Sequence, residues 1–414
     1  MSLWFFLQIL MILPLLPCGV LAIYLLLLTI AAWLNPDRML ISGTYAGAHN
    51  QLSHFIILVP AHNEELLIGD VIGKLRLQSY PTSNYEIVII ADNCDDKTAD
   101  ISRELGVTTL VRHDSEKKGK GQALNWAIQG PLATWPNDWD ALVIIDADSV
   151  MNTDFLWFMN ERIHQGYLAM QGYYGVHNPT ESWRTSLMDA AFSVIHFIRP
   201  LGRDQFGLPC GLKGNGMCFA RKLVQEYGYP ATSVVEDVEL ALILLRHNIG
   251  VKFTPGAQVF GQMAATTGQA DSQRKRWEGG RLALIMEWAV PLWREGWRER
   301  NYHKLDGAMD LFVPPLALLV MPVLLACLLL LTLVLIHFTM IGVITFFLWC
   351  LTLLAIILYL ISGLVLTKAP AVVWLRLAAV PLFIFSKLMV YLDMISRDKR
   401  TPSKWIRTDR HRMD

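Results

Sequence analysis

The chain has 414 residues, 53% hydrophobic and 17% charged, with 36 Lys and Arg against 36 Asp and Glu. A formal net charge of +0 excludes a global pull toward nucleic acid, and no such partner is expected. The length allows roughly two or three domains. The composition is apolar for a soluble enzyme, and the excess lies at the two ends. The six cysteines are scattered without a Cys-x-x-Cys pair, which argues against a disulfide framework or a zinc site.

From Trp4 to about Leu34 the sequence is almost uncharged. That run exceeds the ~20 residues needed to cross a bilayer. Met1 to Trp4 carries no basic side chain, unlike the start of a signal peptide. Residues 1–36 are therefore expected to form a retained transmembrane helix. Arg38 and the later basic segments put the following chain on the cytoplasmic side by the positive-inside tendency, with the N-terminus outside. The expected location is the cell (inner) membrane, crossed more than once. Residues 41–54 are polar and read as a linker.

Short apolar runs then alternate with amphipathic stretches. Phe55–Val59, Ile87–Ile90, Thr108–Val111 and Leu142–Ile145 suit buried parallel strands. Helical segments are expected at about 64–78, 97–105 and 121–129. This order predicts a doubly wound α/β domain, whose ligands gather at the carboxyl ends of the strands.

Each strand end carries a candidate motif. The first is followed by Pro60-Ala61-His62-Asn63-Glu64, with no Gly-x-Gly-x-x-Gly fingerprint. Asn63 could cap the next helix, and the whole could equally be a capped turn. The second strand leads into Asp92-Asn93-Cys94-Asp95-Asp96. One carboxylate there could accept from a base edge; an acidic helix start is the plainer reading. Lys117-Lys118-Gly119-Lys120-Gly121 could close on a diphosphate or be a solvated basic loop. The fourth strand ends in Asp146-Ala147-Asp148, whose two acids point to one side of an extended segment. Such a pair can bind one divalent cation, with phosphate oxygens completing its shell. Asp138-Trp139-Asp140 has the same spacing but precedes its strand, so it is set aside.

Gly211 to Gly216 holds Lys213 and Asn215 and could approach a sugar or simply turn into Met217–Ala220. Val235-Glu236-Asp237 opens an apolar helix through about Leu245. A carboxylate at a helix N-terminus stays ionised more easily, which suits a general base; an ordinary acidic first turn is the alternative. Gln273-Arg274-Lys275-Arg276-Trp277 puts an amide, a guanidinium and an indole on one helix face. Amide and guanidinium suit phosphate oxygens and hydroxyls, while the indole suits a sugar face or a membrane interface.

The C-terminal part is again apolar. Residues 284–300 mix Trp288, Trp293 and Trp297 with charges, as an interfacial helix does. Runs at 311–337 and 341–366 are long enough to span. The run 371–392 contains Arg376 and Lys387 and is read as interfacial, which leaves the basic tail at 396–414 cytoplasmic.

Taken in order, Asp92, Asp146-x-Asp148, Glu236-Asp237 and Gln273-x-x-Arg276-Trp277 resemble a membrane-embedded family-2 glycosyltransferase of the processive type. That group makes cellulose, hyaluronan, chitin oligosaccharides or poly-N-acetylglucosamine. The resemblance covers about residues 50–300 and implies a GT-A domain at 50–283, an interfacial helix at 284–307 and membrane helices within 308–395. It also implies a nucleotide-diphosphate sugar donor, a UDP-sugar by preference, with Mg2+ or Mn2+. Asp92 would contact the base, with Ala61 and Glu64 in the turn beside it. Asp146 would hold the donor and Asp148 the metal, with Asp146 at hand for both. Lys120 would face the diphosphate, and Asp237 would be the base. Glu236, Gln273, Arg276 and Trp277 would hold the diphosphate and the acceptor sugar. Val235 stands where the family has Thr, which leaves the acid in place.

The reaction so implied is an inverting displacement onto a growing glycan at the bilayer, with export or assembly partners to match. The rival readings are single addition to a lipid or lipid-linked acceptor, and an inactive membrane scaffold with a nucleotide-binding fold.

Overall fold

A computed structural model describes residues 3–42, 51–135, 138–264 and 279–380. Eight strands form one sheet: β1 Phe55–Ala61, β2 Tyr85–Asp92, β3 Thr108–Arg112, β4 Ala141–Ile144, β5 Ser149–Met151, β6 Ala169–Val176, β7 Met217–Ala220 and β8 Val251–Gly261. Their spatial order is β3-β2-β1-β4-β7-β6-β8-β5. β1 lies between β2 and β4 and is parallel to both, and β3 extends that parallel half. Both faces of this half are covered, so Phe55 to Val59 are all buried at 0% exposure. That burial is why these strands read as unbroken apolar runs.

The expectation of a doubly wound parallel sheet holds only for this half. β7 runs antiparallel to both β4 and β6, and β5 antiparallel to β8. The additional strands carry little apolar patterning. β6 contains Gly172 and Gly175, with a bulge between Gly172 and Tyr173. β8 contains Pro255 and Gly256. Glycine and proline mark strand interiors that must bend or admit a neighbour closely.

The predicted helices shrink at their ends. Helix Ile68–Leu75 starts after Leu67, with no side-chain cap. Asn63 is not its cap: it takes a left-handed φ of 55°, and its Oδ1 accepts from the Asp95 N–H at 2.8 Å. Helices Thr98–Glu104 and Lys120–Gln129 fall where the periodicity put them.

Three helical stretches among the described residues are long and apolar enough to cross a membrane: Leu3–Leu34 (32 residues), Leu316–Ile336 (21) and Met340–Leu366 (27). They reach the sheet through a helical layer: the first long helix packs on helix Arg199–Gln205, and the last packs on the π-helical segment Ser193–Ile198. Tyr173, Val194 and Phe197 share one apolar cluster with Trp349, Ile356 and Tyr359, and the Tyr359 hydroxyl donates to the Val194 carbonyl at 3.0 Å. Gly202 meets the backbone of Leu28 so closely that any Cβ there would overlap it. Within the helical bundle, buried Gln8 donates to the carbonyls of Leu333 (3.3 Å) and His337 (2.8 Å) and accepts from the Thr339 hydroxyl. The His337 carbonyl lies just past the helix end, where no intrahelical donor remains, while the Leu333 carbonyl also accepts from the His337 N–H at 2.9 Å.

The segment expected as one interfacial helix at 284–307 is broken. A π-helical turn, Ile285–Ala289, leads into Val290–Glu299, which stops at left-handed Arg300. Helix Tyr302–Phe312 folds back on it, capped by the Asn301 side chain. Leu292, Ala308 and Leu311 pack against Leu242 and Leu245, while Trp297 is 73% exposed. Of the run 371–392 the described part is helix Ala371–Arg376 and the turn after it. Its Arg376 donates to the Thr180 carbonyl at 2.9 Å. The remainder of that run and the basic tail lie outside the described residues.

Candidate active site

The carboxyl ends of β1, β2 and β3 are stitched into one floor. The parallel register sets Asp92 beside Arg112. The buried Arg112 guanidinium donates to Asp92 Oδ1 at 2.6 Å, to Asp114 at 2.9 Å and to the Lys117 carbonyl at 2.6 Å. His62 Nδ1 lies 2.7 Å from the Asp92 carbonyl oxygen. The Asn93 side chain reaches Asp92 Oδ1 and accepts from the Asp114 N–H. Ala61 ends β1 and is buried. Glu64 is buried beside it, its N–H donating to the Thr98 hydroxyl at 2.7 Å. Paired in this way, the three acids of 92–96 do not simply repel: Asp96 caps Thr98 at 3.0 Å and accepts from the Glu65 N–H.

The Asp146-Ala147-Asp148 turn leaves the end of β4 and carries the chain across to β5 on the far edge of the sheet. Asn215 fixes this turn from both sides. Its Oδ1 accepts from the Asp146 N–H at 3.2 Å and its Nδ2 donates to the Ser149 hydroxyl at 2.7 Å. That hydroxyl donates in turn to Asp148 Oδ1 at 3.0 Å. Asp148 is only 7% exposed, while the Asp146 side chain is 30% exposed and open to the cleft. Lys120, first residue of its helix, pairs with Asp146 at 2.5 Å and also donates to the Gly214 carbonyl.

Glu236 and Asp237 open the helix Glu236–Arg246 on the other side of Lys120. A Cβ on Gly214 would stand 3.3 Å from Asp237 Oδ2, and one on Gly121 would stand 3.2 Å from the Glu236 Cβ. Both glycines therefore let the two loops close on the acid pair. Burial would lower the Lys120 pKa, but the surrounding Asp146, Glu236 and Asp237 outweigh it and raise it. The helix start does not keep the acids easily ionised, as its position alone suggested. Burial pushes Glu236 up to about 7 and also raises Asp237, against the opposing pull of Lys120. In this enclosed place desolvation outweighs the partial charge of a helix end.

Lys120 thus meets Asp146, Glu236 and Asp237, with Asp148 in the same turn as Asp146, while Asp92 stands at the carboxyl end of β2 on the same edge of the parallel half. Gln273, Arg276 and Trp277 lie outside the described residues. The chain just after them is anchored: the Arg281 guanidinium donates to the carbonyls of Asp310 (3.2 Å), Leu311 (3.1 Å) and Val313 (2.6 Å). Arg112 and Asn215 were not assigned roles from the sequence. The signal for Arg112 was its position, the last residue of the strand that pairs with the one ending in Asp92. For Lys213 it was the glycine-flanked loop. Its N–H is held by Gln171 at 2.8 Å, and burial followed by Arg199 lowers its ammonium to about 8.

Among the described residues no three His, Cys, Asp or Glu side chains group as a metal cage. The donor set does fit a hard divalent cation that shares its shell with a ligand. Two carboxylates leave one turn, and a lysine ammonium already sits on the more open one, marking a place where positive charge is stabilised.

The family described as glycosyltransferase like family 2 matches residues 53–280. A probable glycosyltransferase, YdaM of Bacillus subtilis (strain 168), is 22% identical over 256 residues, covering 59% of this chain and 59% of that protein. The β-monoglucosyldiacylglycerol synthase of Trichormus variabilis is 27% identical over 275 residues, covering 63% of this chain and 56% of its own length. The chain thus spans less than two thirds of the length of these curated relatives. The mannosyltransferase PcManGT of Pyrobaculum calidifontis, solved with GDP-Man and Mn2+, aligns with a TM-score of 0.45 and 17% identity, covering 85% of this chain and 99% of that one. The expected polymer-forming subtype draws no support from these names.

Proposed function

The chain belongs to glycosyltransferase family 2, with the GT-A fold, and from that premise we propose that it moves a sugar from a nucleoside diphosphate onto a hydroxyl of a lipid or lipid-linked acceptor at a membrane surface. The observation that carries this reading is the meeting of Lys120, Asp146, Glu236 and Asp237 at one cleft, in a domain joined to membrane-length helices through one shared apolar core. The similarity to a monoglucosyldiacylglycerol synthase favours a lipid acceptor over a growing polymer. The apolar outer faces of the long helices, with Leu13, Leu16 and Leu335 more than 70% exposed, favour a bilayer around them.

In this reading the floor at Asp92 and Arg112 receives the base, with Ala61 and Glu64 alongside. Asp146 and Asp148 would hold Mg2+ or Mn2+, which would offset the charge of the diphosphate. Lys120 exchanges its pairing with Asp146 for a diphosphate oxygen. Asp237 accepts the proton of the acceptor hydroxyl as that oxygen attacks the anomeric carbon from the side opposite the diphosphate; the bond from that carbon to the diphosphate oxygen breaks, the nucleoside diphosphate leaves with the electron pair, and the configuration inverts. Glu236 shares the proton equilibrium of Asp237 and borders the acceptor side. Gln273, Arg276 and Trp277 complete the acceptor and diphosphate contacts. The catalytic region is cytoplasmic and the N-terminus external.

The test uses the full chain in vesicles containing diacylglycerol, supplied with labelled UDP-hexoses and Mn2+ or Mg2+. Label should enter a chloroform-soluble product carrying one sugar. Label found only in water-soluble polymer would refute lipid transfer and restore the polymer-forming reading. No transfer, with no nucleotide binding, would point to the scaffold.

A further inference from the structure

Where the sheet meets the last of the three apolar helices, the structure holds a cavity of about 230 Å3. Tyr173 of β6 and Phe260 of β8 form its ring-lined wall, Asp189 enters from helix Trp183–Phe192, and Ile41, Thr367 and Lys368 close it. Two of these wall segments follow directly on membrane-length helices: Pro36–Ser42 comes after Ile12–Leu34, and Thr367 and Lys368 come after Met340–Leu366. The cavity therefore lies at the level where both helices end, beside the catalytic sheet.

Asp189 is the unusual wall residue. It is 8% exposed, and among the described residues no hydrogen bond or ion pair reaches its carboxylate. Burial pushes its carboxyl up to about 6, as expected where no donor compensates for lost water. A buried polar group without a partner is costly, so a donor from outside the chain fits here. Phosphate does not, because it would face this carboxylate. An ammonium headgroup would meet exposed Lys368 at the rim. A hydroxyl donates to a carboxylate without either penalty, and the half-buried ring of Phe260, backed by Tyr173, suits the apolar face of a sugar. The volume is below the ~300–1,000 Å3 of clefts that engulf whole drug-sized ligands. It suits one headgroup, with acyl chains left in the bilayer.

We propose that this cavity seats the uncharged, hydroxyl-bearing headgroup of a membrane lipid, with Asp189 accepting a hydrogen bond from one of its hydroxyls. The proposal rests on the lipid-transfer reading and specifies it: the seat holds the acceptor before transfer or the glycosylated product after it.

The full chain in detergent micelles is titrated separately with monoglucosyldiacylglycerol, phosphatidic acid and methyl glucoside, and UDP binding is measured on the same samples. The glycolipid should bind best. Asp189→Leu should weaken it about tenfold, as loss of a bond to a charged group does, with UDP binding and melting temperature kept. Asp189→Asn, whose amide still hydrogen-bonds, should retain most of the affinity. Equal glycolipid affinity in wild type and Asp189→Leu overturns the proposal, as does tighter binding of phosphatidic acid. Methyl glucoside bound as tightly as the glycolipid overturns the lipid assignment. If UDP binds in each of those cases, only this seat is refuted; absence of UDP binding by the wild-type protein refutes the transferase reading itself.

Discussion

At Glu236 and Asp237 the same burial has opposite consequences for catalysis and for folding. Both carboxyls hold their protons more tightly in the folded chain than in an unfolded one. Their contribution to stability is therefore fully present below the ordinary carboxylate range and is lost as pH rises through about 7, the folded value of Glu236. Under the proposed mechanism transfer runs the other way, since Asp237 must give up its proton to act as base. Turnover should climb with pH across this window while the melting temperature falls, with the two acids titrating as a pair. Glu236→Gln should flatten the fall in melting temperature. Asp237→Asn should cut transfer by about 10²–10⁴-fold with nucleotide affinity unchanged; transfer near the wild-type rate would remove Asp237 from its role. Arg112→Ala leaves Asp92 buried without its guanidinium, so UDP affinity should drop about tenfold or more. Titration calorimetry with UDP reads that loss directly.

Between elements, glycine contacts decide how tightly the layers close. Gly202 is the sharpest case, because helix Arg199–Gln205 lies against the backbone of helix Ile12–Leu34. Gly202→Ala should destabilise the protein by about 1–3 kcal/mol through overpacking, seen as a lower melting temperature in micelles with the UDP site intact. Elements of this kind also explain what the sequence could and could not convey. The parallel half of the sheet was legible because β1, β2 and β4 are buried on both faces and carry uninterrupted Val, Ile and Leu. β6 and β8 were not, because their glycines and Pro255 serve close packing and a bulge, not apolar periodicity. The helix hairpin at Val290–Phe312 was read as one interfacial helix because the break rests on a single left-handed Arg300, a conformation no side-chain pattern announces. The placement of Asp146 and Asp148 after a strand, and of Asp237 at a helix start, was legible from the pattern around them. Arg112 and Asp189 needed the third dimension: one is defined by strand register, the other by a cavity among five distant segments.

Across the whole molecule, a buried ionic network joins the catalytic region to its membrane-side helices. Arg199 and Arg203 pair with Asp310 at 2.9 and 2.6 Å, and Arg203 also pairs with Asp306. The Tyr24 hydroxyl, from the first long helix, donates to Asp306 at 3.0 Å. Arg203→Ala leaves Asp306 and Asp310 short of a partner in a dry place and should cost about 3–5 kcal/mol. A paired replacement, Arg203→Met with Asp306→Leu, should recover much of that in thermal melts; no recovery would mean the network is not held by those charges.

The glycine-to-backbone contact between residues 202 and 28 also bears on how this enzyme can be handled. A shortened version beginning after residue 36 would lose the partner of Gly202, the hydroxyl on Asp306 and the apolar cover supplied by Leu25 and Leu28. Such a fragment should precipitate or require detergent despite carrying every acid of the cleft. The first helix is part of the foundation on which the catalytic unit is built, more than a leash that keeps it near lipid.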